Sequence, residues 1–232
     1  DADIRVRYQV AFSLGELDGP LQAETIARLV VNDGADQWMR LALLSSTLNT
    51  AGDVFLRLAV NKDSRSKAHV SRFLTTLAQQ IGRAGQSRQI ASVLKSLDQL
   101  PASEAGLKSA IVKATVEKLA GKQRDQFLAA ASGNAAAVLK ELLAGARQRA
   151  ANEDLAINER VAAIQNLRLA SWQDTSEGLE ELMSLQQPPA VRSAVLTTLG
   201  GFDTPAAANL MIEHWSGFSP ALRRQAAEVL LS

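Results

Sequence analysis

The 232 residues contain no cysteine. Within this stretch that excludes disulfides, thiolate metal sites and a covalently attached c-type haem. Histidine is almost as scarce. His69 and His214 stand far apart, with no cysteine and no His-Glu-x-x-His spacing, so no metal-ligand set is expected. Aromatic residues are 4% of the chain, and no segment alternates apolar and polar residues as a half-buried strand would. No apolar run is long enough to predict a membrane-spanning helix. The opening residues Asp1-Ala2-Asp3-Ile4-Arg5 lack the apolar stretch of a signal peptide.

The motifs of catalysis are missing in the same way. Ser64-Arg65-Ser66-Lys67 and Ser92-Val93-Leu94-Lys95 match Ser-x-x-Lys, but the companion motifs of a serine acylase are absent. Gly121-Lys122 has neither the upstream glycine nor the following Ser/Thr of a phosphate loop, and there is no Gly-x-Gly-x-x-Gly. Glu180 and Glu181 are neighbours on a helix, so their carboxylates splay apart and belong to a solvated face. The chain reads as non-enzymatic, without a catalytic, cofactor-binding or metal-binding residue of its own.

What is present is helix-forming material. Apolar residues are 47% of the chain, rich in alanine and leucine. Small residues of this kind suit closely packed helices. Apolar residues recur at helical spacing nearly throughout. Helices are predicted at about 4–14, 21–31, 36–48, 53–60, 66–82, 88–100, 104–119, 122–132, 135–150, 158–170, 175–187, 190–200, 204–216 and 220–231. Turn residues separate them: Asp18-Gly19-Pro20, Asn32-Asp33-Gly34, Ser132-Gly133-Asn134, Pro188-Pro189, Gly200-Gly201 and Ser219-Pro220.

A pattern recurs across these helices. An arginine is followed seven residues later by a leucine: Arg160 to Leu167, Arg192 to Leu199, Arg223 to Leu230 and Arg7 to Leu14, with Arg40 repeating the arginine position. A period near 32 residues means stacked helical hairpins. Each of these arginines sits early in its helix, where the dipole offers a cation nothing. An acceptor in a neighbouring turn is therefore expected, an Asp or a carbonyl, forming a ladder between repeats. Ligand binding is the other reading. Trp38, Trp172 and Trp215 lie at helix ends, either as wedges between repeats or as anchors at a domain interface.

The formal net charge is +1, but the basic residues concentrate between 62 and 152. Clustering of this kind either solvates outer helix faces or marks a docking surface for an acidic partner. On charge alone, Lys62, Arg65, Lys67, Arg72, Arg83 and Arg88 are the candidate docking residues. Both flanking regions are acidic and only Phe73 interleaves with the basic residues from Lys62 to Arg88, so nucleic acid is not the expected partner.

The arginine-to-leucine helix, preceded by an Asp/Asn- or Pro-containing turn, resembles the second helix of a HEAT repeat over 1–48 and 154–232, and less closely between 62 and 150. The fold class this implies is all-α: a right-handed α-α superhelix, a HEAT/ARM-like solenoid of about seven hairpins forming one repeat domain over 1–232. A narrower resemblance rests on Asp3-Ile4-Arg5-Val6-Arg7-Tyr8-Gln9-Val10-Ala11-Phe12-Ser13-Leu14-Gly15-Glu16-Leu17 and Trp38-Met39-Arg40-Leu41-Ala42-Leu43-Leu44-Ser45-Ser46. These stretches look like the HEAT-like region of planctomycete-type membrane-bound dehydrogenases. In that family a β-propeller precedes the helical region and a c-type cytochrome domain with Cys-x-x-Cys-His follows it.

The resemblance implies a connector that positions the two domains for electron transfer, in an exported and periplasmic protein. Haem c would belong to the adjacent domain. The partners would be protein domains of the same polypeptide. Without the resemblance, a free-standing protein-interaction module is the alternative, and a cytoplasmic location with it. Neither end of the chain reads as a polar capping helix, so Leu222, Ala226, Val229 and Leu230 are expected near an open edge and the chain is expected to be part of a longer one.

Overall fold

Side-chain caps and prolines set the helix starts. Asp3 begins α1 (Ile4–Ser13) by accepting the Arg5 N–H at 2.9 Å. After α2 (Pro20–Asp33), Asp36 begins α3 (Gln37–Ser45) by accepting the Met39 N–H at 2.8 Å. Then follow α4 (Ala51–Val60) and the single turn α5 (Lys62–Arg65), which Asn61 caps. Next come α6 (Ala68–Ala84), α7 (Ser87–Gln99), α8 (Ala105–Val116), α9 (Gly121–Ala130) and α10 (Gly133–Ala151). The last five are α11 (Ile157–Leu167), α12 (Trp172–Glu181), α13 (Pro189–Leu199), α14 (Pro205–Glu213) and α15 (Pro220–Leu230). Proline opens α2, α13, α14 and α15, where its missing N–H costs nothing.

This computed structural model describes residues 2–17, 19–119 and 121–231. Asp18, part of a predicted turn, lies outside them. The described residues are all-helical, with no strand. Every predicted helix is present, most within a few residues of the expected bounds. The larger departures are α12 and the α14 end. Ser171 accepts the Asp174 N–H and starts α12 three residues early, and the chain turns from Leu182 onward. Beyond α14 the chain tightens into a 3₁₀ turn at Trp215–Gly217. The helices cluster into two compact units, 1–120 with 131–138, and 121–130 with 139–232.

In the first unit α2, α4 and α7 lie side by side as one layer. On the other side α1 packs on α3 and α6 packs on α8, and α4 also packs on α6. The core between the layers includes Ile26, Phe55, Leu58, Phe73, Leu77 and Leu97, all at most 1% exposed. Two glycines permit the closest approaches. A Cβ on Gly82 of α6 would fall 2.2 Å from the Thr115 carbonyl oxygen of α8, and one on Gly52 of α4 would fall 3.0 Å from the Gln89 Cα of α7. Helix backbones meet there with no room for a side chain.

The second unit repeats one arrangement. Helices α11, α13 and α15 pack in sequence, and α12 packs on α14. Ile164, Leu167, Leu179, Val195, Leu199 and Met211 fill the core. Here the expected open edge is corrected: Leu222 and Ala226 are buried at 4% and 0% exposure, because both pack into this cluster. Val229 and Leu230 are partly buried against it. On α1, Ile4, Val6, Val10 and Phe12 are each between 41% and 49% exposed. Among the described residues no single helix is long and apolar enough to cross a membrane.

Candidate functional site

The side-by-side helices of the first unit carry the same short pattern. Ile26, Phe55 and Val93 are fully buried, and two residues after each comes an exposed cation: Arg28 on α2, Arg57 on α4 and Lys95 on α7. The two residues after each cation are buried again: Leu29 and Val30, Leu58 and Ala59, Ser96 and Leu97. Three neighbouring helices thus use one register to bury an aliphatic face and to project one positive charge each.

These cations surround a groove of about 740 Å³, lined also by Glu24, Ala27, Val31, Leu56, Val60 and Asn61. Leu58 completes its aliphatic lining, and Ser64 and Gln99 join Asn61 as uncharged polar groups. Arg28, Arg57 and Lys95 form no ion pair and no side-chain hydrogen bond with any described residue. Glu24 is the groove's one carboxylate, a helical turn before Arg28. Three unpaired cations beside aliphatic side chains give the groove a positive potential and some hydrocarbon surface.

The six residues proposed on charge alone do not line this groove. Arg65 is corrected outright. It is 6% exposed, with its Nε 2.8 Å and 3.0 Å from the two Glu104 carboxylate oxygens and its Nη1 on the Val60 and Ala59 carbonyls at 2.8 Å and 3.2 Å. The unpaired carbonyls at the end of α4 draw the guanidinium inward, and Glu104 completes its neutralisation. Lys67 is exposed, its Nζ donating to the Val31 carbonyl at 3.3 Å. His69 Nε2 meets the same carbonyl at 3.2 Å. Lys62, Arg72, Arg83 and Arg88 are exposed on α5, α6 and α7.

The repeat arginines behave as structural bolts. Arg7 donates to both Asp33 oxygens, at 2.7 Å and 2.8 Å. Arg160 donates to the Ala150 carbonyl at 3.0 Å and to Gln187 Oε1 at 2.7 Å. Arg192 donates to the Gly217 carbonyl at 2.8 Å and lies over the Phe218 ring. Arg40 and Arg223 reach only the turns before their own helices, at Gly34 and at Trp215 and Ser216. Acceptors in neighbouring turns therefore account for all five.

The tryptophans divide. Trp172 meets Phe202 edge-on at 5.5 Å, and Trp215 tilts against Phe218 at 6.3 Å. Trp38 is 65% exposed. A second, smaller groove of about 320 Å³ lies in the second unit, lined by Asp174, Glu177 and Glu181. Its one arginine, Arg147, is hydrogen-bonded to the Asp174 carbonyl. Among the described residues no cluster of His, Asp and Glu has the makings of a metal site. Comparison with known proteins finds no family model and no characterised protein that matches this chain.

Proposed function

We propose that this chain is a non-catalytic helical-repeat scaffold, a right-handed HEAT-like array of about seven hairpins that holds protein domains together. The observation that carries the reading is the row of three unpaired cations, one in the same register on each of three neighbouring helices. A catalytic site needs convergent groups of different chemistry. A row of like charges along packed helices suits a partner lying across them. Nucleic acid fits less well, because the groove lining offers no ring on which bases could stack.

The more specific form rests on the resemblance of residues 3–17 and 38–46 to planctomycete-type membrane-bound dehydrogenases. In that form the scaffold positions a β-propeller dehydrogenase domain and a cytochrome c domain for electron transfer, in an exported, periplasmic protein. Haem c has no attachment residues in this chain, since cysteine is absent. The cofactor would sit on the adjacent domain, and this chain would supply only distance and orientation.

The gene on either side tests the specific form. A propeller encoded before these residues and a Cys-x-x-Cys-His motif after them are expected. A frame holding neither rejects the electron-transfer role and leaves a protein-interaction module. Cross-linking mass spectrometry on the native polypeptide tests the scaffold itself. Repeated cross-links from this chain to other domains or proteins are expected, and their absence rejects it.

A further inference from the structure

We infer that the groove takes an extended acidic segment of a protein, in polyproline II conformation, with a carboxylate at every third residue. This rests on the scaffold reading and specifies what its cationic row holds.

The spacing of the helices sets the register. Arg28, Arg57 and Lys95 stand at equivalent positions on α2, α4 and α7, and these pack α2 against α4 and α4 against α7. Helices in contact lie roughly 8–10 Å apart, so a segment crossing them meets a cation at about that interval. A polyproline II chain rises about 3.1 Å per residue with three residues per turn. Every third residue then returns to the same side after about 9 Å. A β-strand does not meet this requirement, because residues three apart point to opposite faces. Seven residues of the form acid-x-x-acid-x-x-acid therefore span the row.

The floor decides what stands between the acids. Ala27, Val31, Leu56 and Val60 present hydrocarbon to the groove. Proline and small aliphatic side chains at the intervening positions would bury against it, and proline also pre-orders the conformation. Free phosphate would leave most of a 740 Å³ groove unfilled and its floor uncovered. Glu24 opposes the ligand from its place beside Arg28, so the site is weaker than its cations alone would make it.

The test is fluorescence anisotropy on the full chain with a labelled nonapeptide of three Glu-Pro-Val repeats. A second peptide of the same composition with the three Glu contiguous serves as control. The period-three peptide is expected to bind about tenfold more tightly. Arg57→Glu and Lys95→Glu should each weaken it about five- to tenfold, and Glu24→Gln should tighten it about twofold. Arg83→Glu, the same charge change outside the groove, should leave it within about twofold. All four side chains are exposed, and unchanged circular dichroism would verify the fold.

Equal binding of the two peptides would overturn the proposal, as would equal losses from Arg57→Glu and Arg83→Glu. Displacement of the peptide by millimolar inorganic phosphate, or tighter binding of a single-stranded DNA nonamer, would overturn it in favour of those ligands. If the peptides fail while cross-links to other domains persist in Arg57→Glu, the groove assignment falls and the scaffold stands. If the native cross-links are themselves absent, the scaffold falls too.

Discussion

Arg160 Nη2 donates to Gln187 Oε1 at 2.7 Å, joining the start of α11 to the turn before α13 across 27 residues. The same reach recurs as Arg7 to Asp33 across 26 residues and Arg192 to Gly217 across 25. Each bond links the start of one helix to the residues just before the helix after next. Gln187 is itself held, its Nε2 donating to Glu153 at 3.0 Å.

The buried members of this series should matter most. Arg160 is 3% exposed, and its loss leaves the Ala150 carbonyl and the Gln187 side chain without their donor. Hydrogen bonds from a charged group contribute about 1.5–3 kcal/mol each, so Arg160→Ala should destabilise the second unit by roughly 2–4 kcal/mol. Arg160→Lys should recover only part of it, because one ammonium lacks the fork that serves two acceptors. Arg223→Ala removes exposed contacts and should cost less than about 1 kcal/mol. Urea denaturation checks the order, and equal costs for the three variants would reject the idea that the buried arginine bonds stabilise the fold more than the exposed ones.

The positions of helices were legible because their signals are local. Asp36, Ser219 and the helix-opening prolines sit within one turn of the start they specify. The exposed faces were not legible, because they depend on what each helix packs against. Arg65 reads like any surface arginine until Glu104, 39 residues later, is placed beside it. Arg28, Arg57 and Lys95 are not legible as a group for the converse reason. Summing charge along the chain divides them between two blocks, whereas folding brings their three helices into one layer. The apolar residues Ile4, Val6, Val10 and Phe12 of α1 mark a helix in the sequence, but their spacing does not say which side is covered, and only Ala11 of that helix is buried.

The α1 start should respond to acid. The Arg5 side chain and then the Arg5 N–H hydrogen-bond to the Asp3 carboxylate and hold its pKa below the ordinary carboxylate range. A lowered pKa in the folded state means the ionised form is the one that folding favours. The contribution is complete above the ordinary carboxylate range and is lost as pH falls through the lowered value. Amide exchange at the first turn of α1 should therefore quicken selectively below about pH 4 in the native chain. Asp3→Ala should show fast exchange already at neutral pH. An identical pH response in Asp3→Ala would remove this carboxylate as the cause.

Glycine substitutions should separate close packing from helix propensity. Gly82→Ala places a methyl carbon 2.2 Å from the Thr115 oxygen and 3.1 Å from Lys118 Cβ, and the nearest of these is backbone that cannot turn aside. Helices α6 and α8 must part, at a cost of about 1–3 kcal/mol or more. Gly145 sits inside α10 with nothing within 4 Å of an added Cβ. Gly145→Ala should stabilise by about 0.5–1 kcal/mol through propensity alone. Thermal melts of the two variants should move in opposite directions, and a gain in Gly82→Ala would mean that α6 and α8 are not in contact there.

Arg124 of α9 is a buried cation with an incomplete set of partners. It is 6% exposed, its Nη1 donates to the Arg168 carbonyl at 3.2 Å, its guanidinium lies 5.1 Å from the Phe202 ring centre, and its buried Nε has no partner. Burial lowers its pKa, Arg168 adds to that, and nearby Asp125 and Asp203 oppose it. A buried cation without a bonded carboxylate contributes little net stability, because desolvation offsets its contacts. The hydrocarbon stem still fills space beside Phe202. Arg124→Met keeps that volume and removes the charge, so it should be neutral or stabilising by up to about 2 kcal/mol. Arg124→Ala loses the packing as well and should destabilise by about 1–3 kcal/mol. If urea denaturation instead gave equal losses for Met and Ala, the charge would be the stabilising part, and its carbonyl and ring contacts would have to outweigh the cost of burying it.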